Sequence, residues 1–284
     1  MRLRVFLAGA AALGLAACST TGGGDGPSGG SAAKTAAARP QPFPSTYRPY
    51  PGRPTALVGA TVYDGRGGVI ENGTVLMRDG KLVAAGDASL STEGYDRIDA
   101  TGRFVTPGII DIHSHLGNYP SPGVAAHSDG NEATDPTTPE VWAEHSVWPQ
   151  DPGFSRALAN GGVTALQILP GSANLMGGRS ATLKNVPSRT VQGMKFPGAP
   201  YGMKMACGEN PKRVYGGKGR MPSTRMGNFA VNRQAWLDAR KWIEDGRKGR
   251  NLANETLAGV LDGEILLQNH CYRADEMALV LDMA

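Results

Sequence analysis

The sequence predicts an α/β protein, with a small β-rich domain followed by a larger domain in which strands and helices alternate. Residues 55–106 contain short strand-like runs separated by turn signals such as Asp79-Gly80, which favours a small sheet. Residues 107–284 contain five apolar, strand-like segments with helical segments among them, which favours parallel strands joined by helices. The chain has 284 residues, of which 40% are hydrophobic and 19% charged, as expected for a folded globular protein.

The strands of the small domain are predicted from apolar runs between turn signals. Asp79-Gly80 is a hairpin turn between the second and third strands, and Thr101-Gly102 is expected to be the turn of a further short hairpin. Together these strands predict a small sheet or sandwich. The predicted strands are Leu57–Tyr63, Thr74–Met77, Lys81–Gly86, Arg97–Ala100 and Arg103–Val105.

Residues 1–18 have the pattern of an export signal. Arg2 and Arg4 precede an apolar run that is too short to span a bilayer as a helix. The run ends in Leu15-Ala16-Ala17-Cys18, which resembles the lipobox of bacterial lipoproteins. That resemblance implies a lipid on Cys18 and, with Ser19 after it, an anchor at the periplasmic face of the outer membrane. The alternative is an ordinary secretory signal with an incidental cysteine.

The segment after the signal, residues 19–54, is rich in Gly, Ala, Pro and Ser. It has almost no apolar residues that could form a core. We therefore expect a disordered spacer between the membrane and the folded domains.

The net charge of +4 is concentrated in the N-terminal region. Residues 1–54 carry six basic side chains and one acidic side chain, so the remaining residues sum to a net charge of −1. No basic domain is present to follow a phosphate backbone. The charge distribution therefore excludes nucleic acid as an expected partner.

A His-x-His pair at the end of a short apolar strand carries the clearest chemical signal. Phe104 to Leu116 reads FVTPGIIDIHSHL, in which Pro107-Gly108 ends one strand and the isoleucines form the next. His113 and His115 are two residues apart, so their imidazoles lie on one face of an extended chain and suit a divalent metal such as zinc. Asp111 lies on the same side, where it either supports the histidines or is a buried, hydrogen-bonded carboxylate. Taken alone, the pair could also be structural.

The segments after this motif alternate between helices and strands. A long polar segment, residues 116–150, comes first and is expected to form a loop over the end of the strand. Cys207 and Cys271 lie in apolar segments, and we expect free, buried thiols rather than a disulfide. Helices are predicted at Asp151–Asn160, Asn232–Lys248 and Asn254–Leu261, and strands at Val163–Leu169, Ser180–Val186, Tyr201–Cys207 and Ile265–Asn269.

This order of elements resembles the amidohydrolase superfamily, metal-dependent hydrolases of carbon–nitrogen bonds. The resemblance rests on the Pro-Gly-Ile-Ile-Asp-Ile-His-Ser-His strand behind a β-domain, on a Gly-Gly-Val-Thr turn, and on His270-Cys271-Tyr272-Arg273-Ala274-Asp275 after the fifth strand. It implies a TIM-like (β/α)8 barrel behind a β-sandwich-type domain. It also implies His113, His115 and His270 as ligands of one or two zinc ions.

Two glycine-rich segments are similar to the imidazolonepropionase-like and prolidase-like members of that superfamily. They are GSANLMGG at residues 171–178 and GENPKRVYGGKG at residues 208–219. This similarity implies a small-molecule substrate with an amide, cyclic amide or dipeptide bond.

The resemblance further implies a metal ligand from the fourth strand, either a carboxylated lysine or a glutamate that bridges two metals. Lys204 lies within that strand, where a buried charge is costly unless it is carboxylated or paired. Glu209 follows the strand, nearer to the expected metal, and we lean to it over Lys204. A structural ion pair is the remaining interpretation of either residue.

The resemblance covers residues 56–284 and five of the eight strands of a barrel. The sixth-strand histidine of the family and its eighth-strand aspartate, which takes the proton from the attacking water, have no counterpart here. We therefore expect a truncated, inactive fragment of a hydrolase in which a metal-activated water attacks a carbonyl. The alternative is a lipid-anchored, non-catalytic binding or remnant protein on the same scaffold.

Overall fold

The computed structural model describes residues 42–283, which form two five-stranded β-sheets and six α-helices. Among these residues, no helix is long and apolar enough to cross a membrane. The predicted export signal and Cys18 lie outside the described residues.

The first sheet contains β1 (Thr55–Tyr63), β2 (Val69–Arg78), β3 (Lys81–Gly86), β4 (Asp96–Asp99) and β5 (Phe104–Val105). The second contains β6 (Ile109–Ser114), β7 (Val163–Ile168), β8 (Met176–Lys184), β9 (Gly202–Ala206) and β10 (Leu266–His270). The helices are α1 (Pro152–Gly161), α2 (Val191–Met194), α3 (Glu209–Gly216), α4 (Arg225–Glu244), α5 (Leu252–Leu261) and α6 (Ala274–Met283).

The first sheet has the strand order β3-β2-β1-β4, and β5 also pairs with β1. The predicted hairpin turn joins β2 to β3, because Asp79 and Gly80 have the positive φ values, 53° and 69°, that a two-residue turn favours. Ala60, Val62 and Val75 form a small buried core on this sheet. In the part of the chain that the structure describes, these strands make one sheet, and the second layer that a sandwich needs is not seen.

The short hairpin predicted around Thr101-Gly102 is wrong. β4 and β5 both pair in parallel with β1, one after the other along its length. Between them the chain stays attached to β1, because the Ala100 N–H donates to the Val58 carbonyl at 2.8 Å. β1 is irregular here at Gly59, where φ is +82° and an added Cβ would lie 2.7 Å from Thr101 Oγ1. The turn therefore carries the chain forward along β1 instead of back on itself.

The second sheet has the strand order β10-β9-β8-β7-β6 and curls as half of a barrel does. β6 pairs in parallel with β7, and β9 with β10, but β8 is antiparallel to both of its neighbours. The all-parallel pattern of a (β/α)8 barrel fails at β8 because residues 169–175 are too few for a crossover helix, so the chain turns straight back. β6, β7, β9 and β10 still run in one direction, and their carboxyl ends share one edge.

The two faces of the second sheet differ in polarity. On one face, Gln167 Nε2 donates to Ser180 Oγ at 2.8 Å, and Ser180 Oγ donates to Gln268 Oε1 at 2.6 Å. Lys204 lies opposite Gln268 in the register and so belongs to this polar face. The other face packs against the helices in the main core, which includes Phe154, Leu166, Ile168, Leu183, Met203, Met205, Ala239 and Leu257.

The helix boundaries follow capping residues. α1 begins after Asp151, whose carboxylate accepts the Gly153 N–H, and ends at Gly162 in the left-handed conformation, which confirms the prediction. α4 begins at Arg225 rather than at the predicted Asn232, because Thr224 is its N-cap. α3 has no counterpart among the predicted helices.

Residues 43–50 differ from the disordered spacer expected over residues 19–54. The ring of Phe43 lies edge-on to that of Trp142, with centroids 5.5 Å apart. Tyr50 donates a hydrogen bond to a backbone carbonyl of the second domain, and the ring of Tyr47 lies 5.0 Å from a lysine ammonium. These aromatic residues distinguish this stretch from the Gly- and Ser-rich segment before it, and they supply the contacts that hold it.

Candidate active site

Histidines and a lysine meet at the carboxyl edge of the second sheet. Lys204 Nζ lies 3.1 Å from His113 Nε2, which joins β9 to β6. The rings of His113 and His115 are edge to face, with centroids 5.2 Å apart. His270, the last residue of β10, pairs with Ala206 and therefore lies on the same face of the sheet as Lys204. The strand directions thus gather the predicted residues from three strands at one edge.

The surroundings of the three imidazoles lower their pKa values and so favour the neutral form. Burial lowers the pKa of His113, His115 and His270 and is the largest cause in each case. The positive charge of Lys204 lowers all three pKa values further. A neutral imidazole keeps a lone pair on one nitrogen, which is what a metal ligand needs.

Hydrogen bonds determine which nitrogen carries that lone pair. His115 Nδ1 lies 2.8 Å from the Leu169 carbonyl, so Nδ1 carries the proton and Nε2 the lone pair. His113 Nε2 accepts from the lysine ammonium, and His270 Nε2 lies 3.4 Å from the amide nitrogen of Asn210, which donates to it. All three histidines therefore have an unprotonated Nε2. Fixing the tautomer in this way is how proteins orient metal-binding histidines.

Lys204 is a buried cation in the middle of the polar face. Its side chain is 1% exposed, and burial lowers its pKa from 10.5 to about 8. Within residues 42–283 its ammonium has His113 as a hydrogen-bond partner and no carboxylate at ion-pair distance. The ion pair considered for Lys204 is therefore not formed by the described residues. The site instead holds a positive charge among neutral imidazoles.

Asp111 and Glu209 flank the cluster without contacting an imidazole nitrogen. Asp111 Oδ1 accepts the backbone N–H of His113 at 3.1 Å, so its hydrogen bond is to the strand and not to a ring. Glu209 is the first residue of α3 and is exposed. Among the described residues, no group of three or more His, Cys, Asp or Glu side chains is arranged to hold a metal ion. The metal-ligand set, with Asp111 in support, stays a prediction.

A cavity of about 350 Å³ opens beside the histidine cluster. A cavity of this volume suits a small molecule. The side chain of Tyr119 fits at this position only because residues 130 and 171 are glycines. An added Cβ on Gly130 would lie 1.9 Å from its ring, and one on Gly171 would lie 2.3 Å from its hydroxyl oxygen. The sequence predicts the loops that build this cavity but not its side chains, since three separate segments meet there. The polar lining includes His115, Tyr119, Asn131, Ser172, Asn210 and Arg213.

Cys207 and Cys271 form a disulfide, so the expectation of free thiols is wrong. β9 and β10 are parallel neighbours in a register that pairs Ala206 with His270, and the two cysteines come next along the strands. Their Cα atoms are 5.1 Å apart, a separation that a disulfide spans. The bond ties the end of the strand that carries His270 to the end of the strand that carries Lys204.

Comparison with known proteins finds relatives over most of the chain. No family model matches. Amidohydrolase tasK of Hapsidospora irregularis is 33% identical over 240 residues, which are 75% of this chain and 24% of that protein. A crystal structure of an amidohydrolase from Thermotoga maritima is 36% identical with a TM-score of 0.76, over 81% of this chain and 61% of that one. The chain is therefore similar, over most of its length, to part of two proteins named amidohydrolases.

The amidohydrolase relationship agrees with the resemblance found in the sequence at the level of the superfamily. An imidazolonepropionase of a Bradyrhizobium species is 44% identical over 62 residues, which are 20% of this chain and 15% of that protein. The chain spans about a quarter of the length of tasK and 61% of the Thermotoga amidohydrolase. The half-barrel with its antiparallel β8 is thus an arrangement that resembles a known amidohydrolase structure.

Proposed function

We propose that this amidohydrolase relative is a metal-dependent hydrolase of carbon–nitrogen bonds, with a small-molecule amide, cyclic amide or dipeptide as substrate. The observation that carries the proposal is the contact of the buried Lys204 Nζ with His113 Nε2 at 3.1 Å, beside the ring of His115, at the sheet edge where β10 ends in His270. These residues lie at the carboxyl edge of the half-barrel, where barrel enzymes have their active sites. Relatives named amidohydrolase and imidazolonepropionase agree with this chemistry.

The residues at this edge fit zinc. Imidazole nitrogen is a common zinc ligand, and His113, His115 and His270 would hold the ion. A carboxylated Lys204 or Glu209 would supply a further ligand. Direct contact with His113 supports Lys204, whereas Glu209 is exposed at the start of α3. The lowered pKa of Lys204 also supports it, because only a neutral amine adds to carbon dioxide.

The side chains around the site position the ligands and the substrate. A bound zinc ion supplies Lewis acidity, which polarises a scissile carbonyl and makes water a better nucleophile at neutral pH. The Leu169 carbonyl fixes the ring of His115, and Asn210 holds His270. Tyr119 forms a wall of the cavity, so that a bound substrate lies beside His115. We assign no general base among the described residues.

Metal content tests the ligand assignment. The full chain is expected to retain about one or two zinc ions after dialysis. His113→Ala and His270→Ala are expected to lose zinc affinity by roughly tenfold or more, the scale on which even indirect support of a metal matters. His145→Ala is the matched control, since His145 stacks on Trp142 away from the cluster, and it should keep the zinc. Equal zinc content in all four proteins would end the assignment.

Hydrolysis tests the activity itself. Against the inactive fragment expected from the sequence, we predict that the full chain hydrolyses members of a panel of N-acyl amino acids and dipeptides. This turnover is expected to stop when a chelator is added and to return with zinc. Turnover that a chelator leaves unchanged would contradict metal dependence. Zinc binding without turnover of any compound would favour a non-catalytic binding protein on this scaffold.

A further inference from the structure

We propose that the cavity beside His115 contains an anion subsite at Arg213, so that the substrate carries a carboxylate in addition to its scissile carbon–nitrogen bond. N-acyl amino acids and dipeptides have this chemistry, and neutral amides do not. The inference rests on the proposed function for the position of the scissile bond. The subsite itself rests on the charges and contacts of the cavity.

Arg213 lacks the carboxylate partner that other arginines nearby have. Arg220 pairs with Asp135 at 2.7 Å, and Arg225 pairs with Glu276 at 2.6 Å. Over residues 42–283, by contrast, the Arg213 guanidinium has neither an ion pair nor a hydrogen bond, although it lines the cavity. A guanidinium is always charged and binds a planar carboxylate through two parallel hydrogen bonds. Its binding capacity is therefore unused within the described chain.

Helix α3 presents Arg213 to the cavity from the same side as Asn210. The two residues are three positions apart, so their side chains are neighbours on one helix face. Asn210 Nδ2 donates to Ser172 Oγ at 3.0 Å and lies 3.4 Å from His270 Nε2, so this face of the helix borders the candidate active site. Arg213 lies about one helical turn, roughly 5 Å, farther along the axis. A small substrate can therefore reach both His270 and Arg213.

The rest of the cavity lining also favours an anion. The lining that the structure describes contains no Asp or Glu, and Arg213 is its one permanently charged side chain. The Tyr119 hydroxyl accepts a hydrogen bond from Asn131, which leaves its own proton free to donate. The Ser172 hydroxyl accepts from Asn210 in the same way. Two hydroxyl donors and a guanidinium suit the oxygens of a carboxylate.

A matched pair of ligands tests the subsite without turnover. The full chain is treated with chelator, so that no metal can hold a carboxylate, and is titrated with N-acetylalanine and with its uncharged amide by ligand-observed NMR. Wild type is expected to bind the acid about tenfold more tightly than the amide, as charge-assisted hydrogen bonds imply. Arg213→Gln should bind both ligands equally. Lys212→Gln removes the same charge from the same helix outside the cavity lining and should keep the preference.

Equal binding of acid and amide by wild type would overturn the subsite, and so would equal effects of Arg213→Gln and Lys212→Gln. Circular dichroism verifies that each variant is folded. If Arg213→Gln does not fold, Arg213→Met replaces it, and an undiminished acid preference in that uncharged variant also overturns the proposal. The two proposals fail separately. Metal-dependent turnover without an acid preference removes the subsite alone, and an acid preference without turnover removes the hydrolase alone.

Discussion

Glu144, Lys195 and Tyr201 form a buried polar cluster next to the amino end of β9, opposite the end near the candidate active site. Lys195 Nζ lies 2.6 Å from Glu144 Oε2, and the Tyr201 hydroxyl donates to Glu144 Oε1 at 3.1 Å. Lys195 also donates to the carbonyl of Phe43, which ties residues 43–50 to the second domain. Burial and then the charge of Glu144 raise the pKa of Tyr201. Removing one charge would leave the other buried without a partner.

Lys195→Met is expected to lower the free energy of unfolding by about 3 kcal/mol, because it leaves the Glu144 carboxylate buried and unpaired. The double variant Lys195→Met/Glu144→Gln should lose less free energy of unfolding than the sum of the losses of the two single variants. Urea denaturation at pH 7 measures all three. Lys241→Met is the control, since its ion pair with Asp245 is exposed and the loss should be small. Strictly additive losses would show that the two side chains are not coupled.

Residues of the candidate site differ in how far the sequence reveals them. His113 and His270 end short apolar strands, so their position at one edge follows from the strand pattern. Arg213 does not, because α3 is not among the helices that the sequence pattern predicts, so no local signal places its side chains. Its place beside the cavity depends on tertiary packing that no local pattern encodes.

At the scale of elements, helix α3 is held in place by one buried phenol. Tyr215 is fully buried, and its hydroxyl oxygen lies 2.6 Å from Asn174 Oδ1 and 2.7 Å from the Asp135 carbonyl oxygen. Burial is the main cause that raises the pKa of Tyr215 from 10 to about 12. Since α3 carries Asn210 and Arg213, this contact fixes one wall of the cavity.

Tyr215 predicts a loss of stability between pH 10 and pH 12. Because this pKa is raised in the folded state, the unfolded chain releases the phenol proton first as the pH rises. The contribution of Tyr215 to the free energy of unfolding is therefore complete below pH 10 and is lost as the pH rises through 12. The free energy of unfolding should fall by on the order of 3 kcal/mol over this range. Tyr215→Phe should lack this fall and should cost about 1 to 2 kcal/mol at neutral pH. Chemical denaturation from pH 8 to pH 12 measures both, with exposed Tyr63→Phe as control. If the free energy of unfolding fell with pH in the same way for wild type and Tyr215→Phe, the role assigned to Tyr215 would be contradicted.

Strand positions are predictable from this sequence, and strand directions are less so. Thr101-Gly102 has the local chemistry of a hairpin turn, yet β4 and β5 pair with β1 and not with each other. A turn signal limits where the chain bends but not which strand it meets next. The direction of β8 depends on the short connection at residues 169–175, which leaves no room for a helix.

At the scale of the whole molecule, a five-stranded sheet precedes the curled sheet of the half-barrel along the described residues. The candidate site depends on that order, because β6, β9 and β10 run in one direction although β8 does not. The Cys207–Cys271 disulfide could not be predicted from the order of the strands alone. The cysteines are 64 residues apart, and only the register of β9 against β10 places them side by side.

The proposed function requires that histidines from the first and last strands of the half-barrel share one metal ion. Anomalous diffraction at the zinc edge, from crystals of the full chain grown with zinc, measures this directly. We expect a peak about 2.0–2.1 Å from the Nε2 atoms of His113, His115 and His270. A zinc peak away from these atoms, or one bound by His113 and His115 with His270 out of reach, would contradict it.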